Sequence, residues 1–98
     1  MRQGLRRFVV ERRVPEMTSD DLDGLHSALA EASHRLSADS SEVVCMRTIY
    51  LPSTERWIAV FAADAPDTVR RATKIAQLPP GDVHEAIEMT GTHDEVKP

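Results

Sequence analysis

Residues 42–63 read EVVCMRTIYLPSTERWIAVFAA, and this stretch decides the fold. Glu42–Leu51 and Glu55–Ala63 are both rich in β-branched, apolar and aromatic side chains, and Pro52-Ser53-Thr54 between them is turn chemistry. The spacing predicts a two-strand hairpin. Its second strand carries Trp57, Ile58, Ala59, Val60, Phe61 and Ala62 without polar alternation. A run like that belongs in a central strand covered on both faces.

Upstream, Leu5–Val14 reads as a strand, with Phe8, Val9 and Val10 favouring β structure and Pro15 ending it. Thr18 is a good N-cap, and Asp20, Asp21 and Asp23 sit where a helix dipole favours negative charge. The first helix then runs to about Ser37, with Leu22, Leu25, Leu29, Ala32 and Leu36 forming one stripe. Downstream of the hairpin, Asp64 is placed to cap a second helix, with Pro66 in its first turn. Val69, Ala72, Ile75 and Ala76 give that helix its apolar side, and Pro79-Pro80-Gly81 ends it. Val83–Thr90 is the last strand, alternating through Val83, Glu85, Ile87 and Met89.

The element order is β-α-β-β-α-β, which predicts a ferredoxin-like α+β sandwich over residues 1–91, with a mobile polar tail at 92–98. Right-handed crossovers give a four-stranded antiparallel sheet of order 4-1-3-2 with both helices on one face. The other face would expose Leu5, Val9, Ile49 and one side of the third strand, a patch rarely left in water. A second copy laid on it would make a dimeric α/β barrel, so a homodimer is expected.

Composition narrows the function classes. At 98 residues the chain is one domain, and 41% apolar with 29% charged residues is ordinary for a globular protein. The net charge of −4 is against bulk attraction to nucleic acid or an anionic membrane, although residues 1–13 hold five arginines and one glutamate. Cys45 is the single cysteine, so no intrachain disulfide forms and a reducing compartment fits. No apolar run approaches the ~18 residues of a membrane helix. The basic start lacks a signal-peptide core, and a cytoplasmic location is expected. No glycine-rich phosphate loop and no basic-aromatic interleaving occur, so nucleic acid is not an expected partner.

Four segments, in this order and spacing, resemble a family of small bacterial proteins long catalogued as a domain of unknown function. They are Phe8-Val9-Val10-Glu11-Arg12 with Pro15, Arg47-Thr48-Ile49-Tyr50-Leu51-Pro52, Ala65-Pro66-Asp67, and Leu78-Pro79 leading to Val83-His84-Glu85-Ala86. They span residues 8 to 90. That family includes nickel-binding members with a ferredoxin-like, dimeric fold. The resemblance implies a site for nickel or another divalent transition metal, with His26 at the first-helix ligand position. It also implies a second-helix histidine, and this chain has none: Thr73 and Gln77 stand near that place, and neither is a good nickel or zinc ligand.

The remaining histidines do not assemble a site by spacing. His26 and His34 project roughly 80° apart on a helix, His84-Glu85 lacks the second histidine of a zinc-protease pattern, and His93 is in the tail. A metal site would need a second subunit. Glu11 and Arg47 carry more interest, because charge within an apolar strand is costly unless paired. With Phe8 and Val10 facing the helices, Val9 and Glu11 face away. With Val44 and Met46 also facing the helices, Cys45 and Arg47 join Glu11 on the open face, across a gap of ~10 Å that a long arginine partly closes. Two readings stay open: Glu11, Arg47 and Tyr50 line a polar pocket inside the barrel, or Glu11 and Arg47 form a structural ion pair that fixes the dimer. Cys45 reads as a small packing residue, Trp57 as core, and Arg70, Arg71 and Lys74 as a solvated helix face.

Three functions follow. The first is a small dimeric module that binds or senses a metal or small molecule. The second is a cofactor-independent dimeric α/β-barrel enzyme, monooxygenase- or isomerase-like, acting on a small apolar substrate with Glu11 or His26 as base. The third is a purely structural or interaction protein.

Overall fold

The computed structural model describes residues 5–39, 41–78 and 81–89. Six elements follow the predicted order: β1 (Arg6–Arg13), α1 (Ser19–Ala38), β2 (Val43–Leu51), β3 (Arg56–Ala63), α2 (Pro66–Ile75) and β4 (Asp82–Ala86). The strands form one antiparallel sheet in the order β2-β3-β1-β4. β1 and β3 are central and pair over their full length, from Arg6 opposite Ala63 to Arg13 opposite Arg56. The expected 92–98 tail lies outside the described residues.

The core lies between the sheet and the helices. Phe8 and Val10 of β1 and Trp57, Ala59, Phe61 and Ala63 of β3 are at most 2% exposed. They meet Leu29, Ala32 and Leu36 of α1 and Val69 and Ala72 of α2. Burying a large apolar side chain here contributes about 1.5–3 kcal/mol. α1 starts on a reciprocal capping box, as its sequence implies. Thr18 Oγ1 accepts from the Asp21 N–H at 3.1 Å, and Asp21 Oδ2 accepts from the Thr18 N–H at 3.0 Å. These bonds, the one from the Thr18 backbone foremost, hold the Asp21 carboxyl below its ordinary pKa.

Several expectations shift in register. β2 contains a bulge between Cys45 and Arg47: Cys45 pairs with Phe61, Arg47 pairs with Val60, and Met46 is the extra residue. As a result Val43, not Val44, faces the helices, and Val44 is 51% exposed on the other side. Cys45 packs on the core rather than on the open face. The bulge then resets the alternation, so Arg47 opposes open-facing Val60 even though Cys45 does not share its face.

α2 begins one residue later than expected. Its N-cap is Ala65, and Asp64 instead accepts the Thr68 hydroxyl at 2.6 Å and the Glu42 N–H at 3.3 Å. Ile75 is exposed and Thr73 takes the buried place, because 69, 72, 73 and 76 share one helical face and 75 is a third of a turn away. β4 stops at Ala86, opposite Arg7, where β1 is almost used up. Ile87 and Met89 therefore have little strand to pair with and are 90% and 83% exposed.

α2 closes in a Schellman motif. The Leu78 N–H donates to Thr73 O at 3.0 Å and the Gln77 N–H to Lys74 O at 2.9 Å. This geometry needs a left-handed residue, and Gln77 holds φ 64 there. A side chain in that conformation costs roughly 1 kcal/mol relative to glycine. Gln77→Gly is therefore expected to raise the melting temperature by about 4–8 °C, measured by thermal denaturation; an unchanged or lower value would contradict this account of the helix end.

Candidate functional site

The residues singled out in the sequence divide between the two faces of the sheet. The open face is built in cross-strand rows. One row runs Arg47, Val60, Val9, His84, and the next runs Ile49, Ile58, Glu11, Asp82. Glu11 and Arg47 thus share a face, as expected, but they do not pair. β3 lies between them and they sit one row apart. Glu11 bonds instead to Arg56 on the adjacent strand, at 2.5 Å. Both partners are more than a third exposed, so this pair contributes at most about 1 kcal/mol. It also ties Glu11 into a solvated ion pair, not the apolar cavity that a general base would require. Among the described residues Arg47 has no ion-pair or hydrogen-bond partner.

Tyr50 lies on the other face. It opposes Trp57, packs against the core and donates its hydroxyl to Val14 O at 2.7 Å, while the Tyr50 hydroxyl oxygen accepts the Met17 N–H at 3.5 Å. The alternation after the bulge puts even-numbered residues of β2 under α1, so a pocket holding Tyr50 beside Glu11 does not form. Tyr50 acts as a latch between the β2 end and the β1–α1 connection.

A different site forms at the edge of the sheet. The N-terminal half of α1 lies over β2, and the two walls enclose an open groove of about 470 Å³. α1 supplies Leu22, Asp23 and His26, and β2 supplies Met46, Arg47, Thr48 and Tyr50. Leu22 and His26 are one helical turn apart and Asp23 is three residues before His26, so the three fall on neighbouring positions of the helix. His26 is half-buried, with Nδ1 3.3 Å from Thr48 Oγ1. The groove unites His26, Arg47 and Tyr50, three of the four residues singled out in the sequence, and omits Glu11. Asp23, Thr48, Leu22 and Met46 were not anticipated. Asp23 and Leu22 had a signal, their i, i+3 and i, i+4 spacing to His26; Met46 and Thr48 depend on the course of β2 around its bulge.

The donor set of the groove does not suit a transition metal. Nickel or zinc sites draw on His, Cys and carboxylate ligands, ordinarily three or four of them. Among the described residues no group of three or more His, Cys, Asp or Glu gathers in this way. Asp23 and His26 offer two ligands on one wall, and Thr73 and exposed Gln77 are in no position to add a third. The described residues of one chain do not form a closed metal centre.

Other candidates resolve simply. Arg70 bonds Asp67 at 2.7 Å and Arg71 bonds Ser41 Oγ at 2.6 Å, which leaves a solvated basic face. No helix among the described residues is long and apolar enough to cross a membrane. Cys45 lies half-buried under α1, and burial pushes its thiol up to about 11. It is neutral near pH 7 and no nucleophile.

The sheet order and the two helices on one face define a ferredoxin-like α+β domain. Among solved structures the fold is similar to SCO4226 from Streptomyces coelicolor A3(2), with a TM-score of 0.69 and 18% identity over 86% of this chain and 99% of that one. The chain matches no family model and no curated protein. At that identity the likeness establishes the shared fold.

Two outcomes are expected from the site geometry. Tyr50→Phe leaves the Val14 carbonyl without its donor and should lower unfolding free energy by about 1–2 kcal/mol in urea denaturation. Cys45 should react slowly with iodoacetamide in the native protein at pH 8, with the rate climbing as pH approaches 11. A native rate equal to that of the urea-unfolded chain would show the thiol to be unshielded.

Proposed function

We propose that this domain works as a homodimer, joined through the open faces of two sheets, and serves as a binding module for a small ligand. One observation carries the reading. The open face presents Val44, Ile49 and Leu51 at 41–51% exposure beside Val9, Ile58 and Val60, on a domain too small to leave such a surface idle. A two-fold axis would lay this stripe on its own copy, and apolar surface is self-complementary where charge is not. The flanking Glu11–Arg56 pair and His84 would then form a polar rim.

The α1–β2 groove lies at the margin of that face, and it is the place for the ligand. A divalent transition metal enters this reading only with donors from a second protomer added to Asp23 and His26. The similarity to SCO4226 supports the fold on which this reading rests, not the ligand.

Native mass spectrometry of the full chain tests the proposal. A dimer is expected, and Ile49→Glu, which sets a charge in the middle of the stripe, should give a folded monomer. A monomeric wild type at micromolar concentration would overturn the dimer. Adding nickel to the same sample reads the metal directly: stoichiometric metal on the dimer, lost in His26→Ala, would establish the shared site.

A further inference from the structure

Two opposite charges border the α1–β2 groove from its two walls, Asp23 on α1 and Arg47 on β2. They form no ion pair with each other within 4.0 Å, and neither has another partner among the described residues. Most other charged groups on this sheet behave differently: Arg6, Arg7, Arg13 and Arg56 all find carboxylates. His26 and the Thr48 hydroxyl line the same groove, both able to donate or accept hydrogen bonds. Leu22 and Met46 add an apolar patch on either wall.

From this arrangement we infer that the groove binds a free α-amino acid with an apolar side chain. Arg47 would take the carboxylate, in the bidentate geometry its planar guanidinium favours. Asp23 would take the ammonium, and the side chain would rest between Leu22 and Met46. The ammonium and carboxylate of a zwitterion are both attached to one carbon of a small molecule, so it can bridge two protein charges that form no ion pair with each other. A simple anion would leave Asp23 opposed to it, and a simple cation would leave Arg47 opposed. The groove, about 470 Å³ and open to solvent, is wide enough for a single amino acid. Arg47 sits at the bulge of an edge strand, where its long side chain has the freedom to close over the groove.

The inference rests on the reading of this domain as a binding module, and it is separable from the dimer. Isothermal titration calorimetry on the full chain, with L-leucine and L-methionine as probes, is the experiment. Two comparators carry the same apolar body: 4-methylpentanoate lacks the ammonium, and isoamylamine lacks the carboxylate. Saturable binding of an amino acid is expected, with each comparator weaker by roughly tenfold or more, as loss of one charged hydrogen-bonding group implies. Arg47→Met and Asp23→Asn should each weaken the amino acid by a similar factor while keeping the wild-type circular dichroism. Binding by a protein that proves monomeric would support the groove and remove only the dimer. No heat from either probe at about 10 mM, beyond the weakest affinities of interest, would overturn the inference. So would an affinity unchanged in both variants. Nickel bound through Asp23 and unaffected by Arg47→Met, without amino-acid binding, would overturn it and leave a metal-binding module.

Discussion

The structure depends on β3 having no polar face. β3 pairs along its whole length with β1 and β2, is covered by helices on one side and carries apolar Ile58 and Val60 on the other. Trp57, Ala59, Phe61 and Ala63 supply the helix-facing half of the core, and alternating bulk with alanine lets α1 and α2 settle close to the sheet. Ile58 and Val60, on the reverse, form part of the apolar open face. One apolar run thus supplies both the interior of the protomer and the surface on which the proposed dimer rests.

That run was legible because hydrophobicity without alternation has few structural explanations. The capping box at Thr18 and Asp21 was legible for a similar reason, since local chemistry alone determines it. What escaped was phase. Val43, Val44, Cys45 and Met46 are all apolar, so nothing in the composition says which face each takes, and a bulge can be inserted at no visible cost in pattern. Before the bulge Val43 and Cys45, not Val44 and Met46, face the helices, and after it Tyr50 lies on the helix side, away from Glu11. Glu11 failed differently: its face was read correctly, but Arg56 on the adjacent strand outcompeted Arg47 two strands away.

The candidate site inherits those difficulties. His26 and Arg47 stood out for their chemistry, and each is in the groove, yet their meeting is a tertiary event. It requires α1 to lie over the edge of the sheet and β2 to carry one residue too many. Asp23 attracted attention only as a helix-dipole residue, and in the folded protein it faces a groove. Similarity of fold to SCO4226 at 18% identity shows that this backbone accommodates very different side chains.

The Met46 bulge has a further consequence for what this protein avoids. β2 is an edge strand, nine residues long, with Val44, Met46, Ile49 and Leu51 all exposed. Such an edge is a template for adding a foreign strand, and runaway strand addition leads to fibrils. The bulge breaks the even ladder of free backbone groups near its middle, so an incoming strand finds proper register on only one side of it. Face-to-face association remains open, while edge-to-edge growth is checked by a single extra residue.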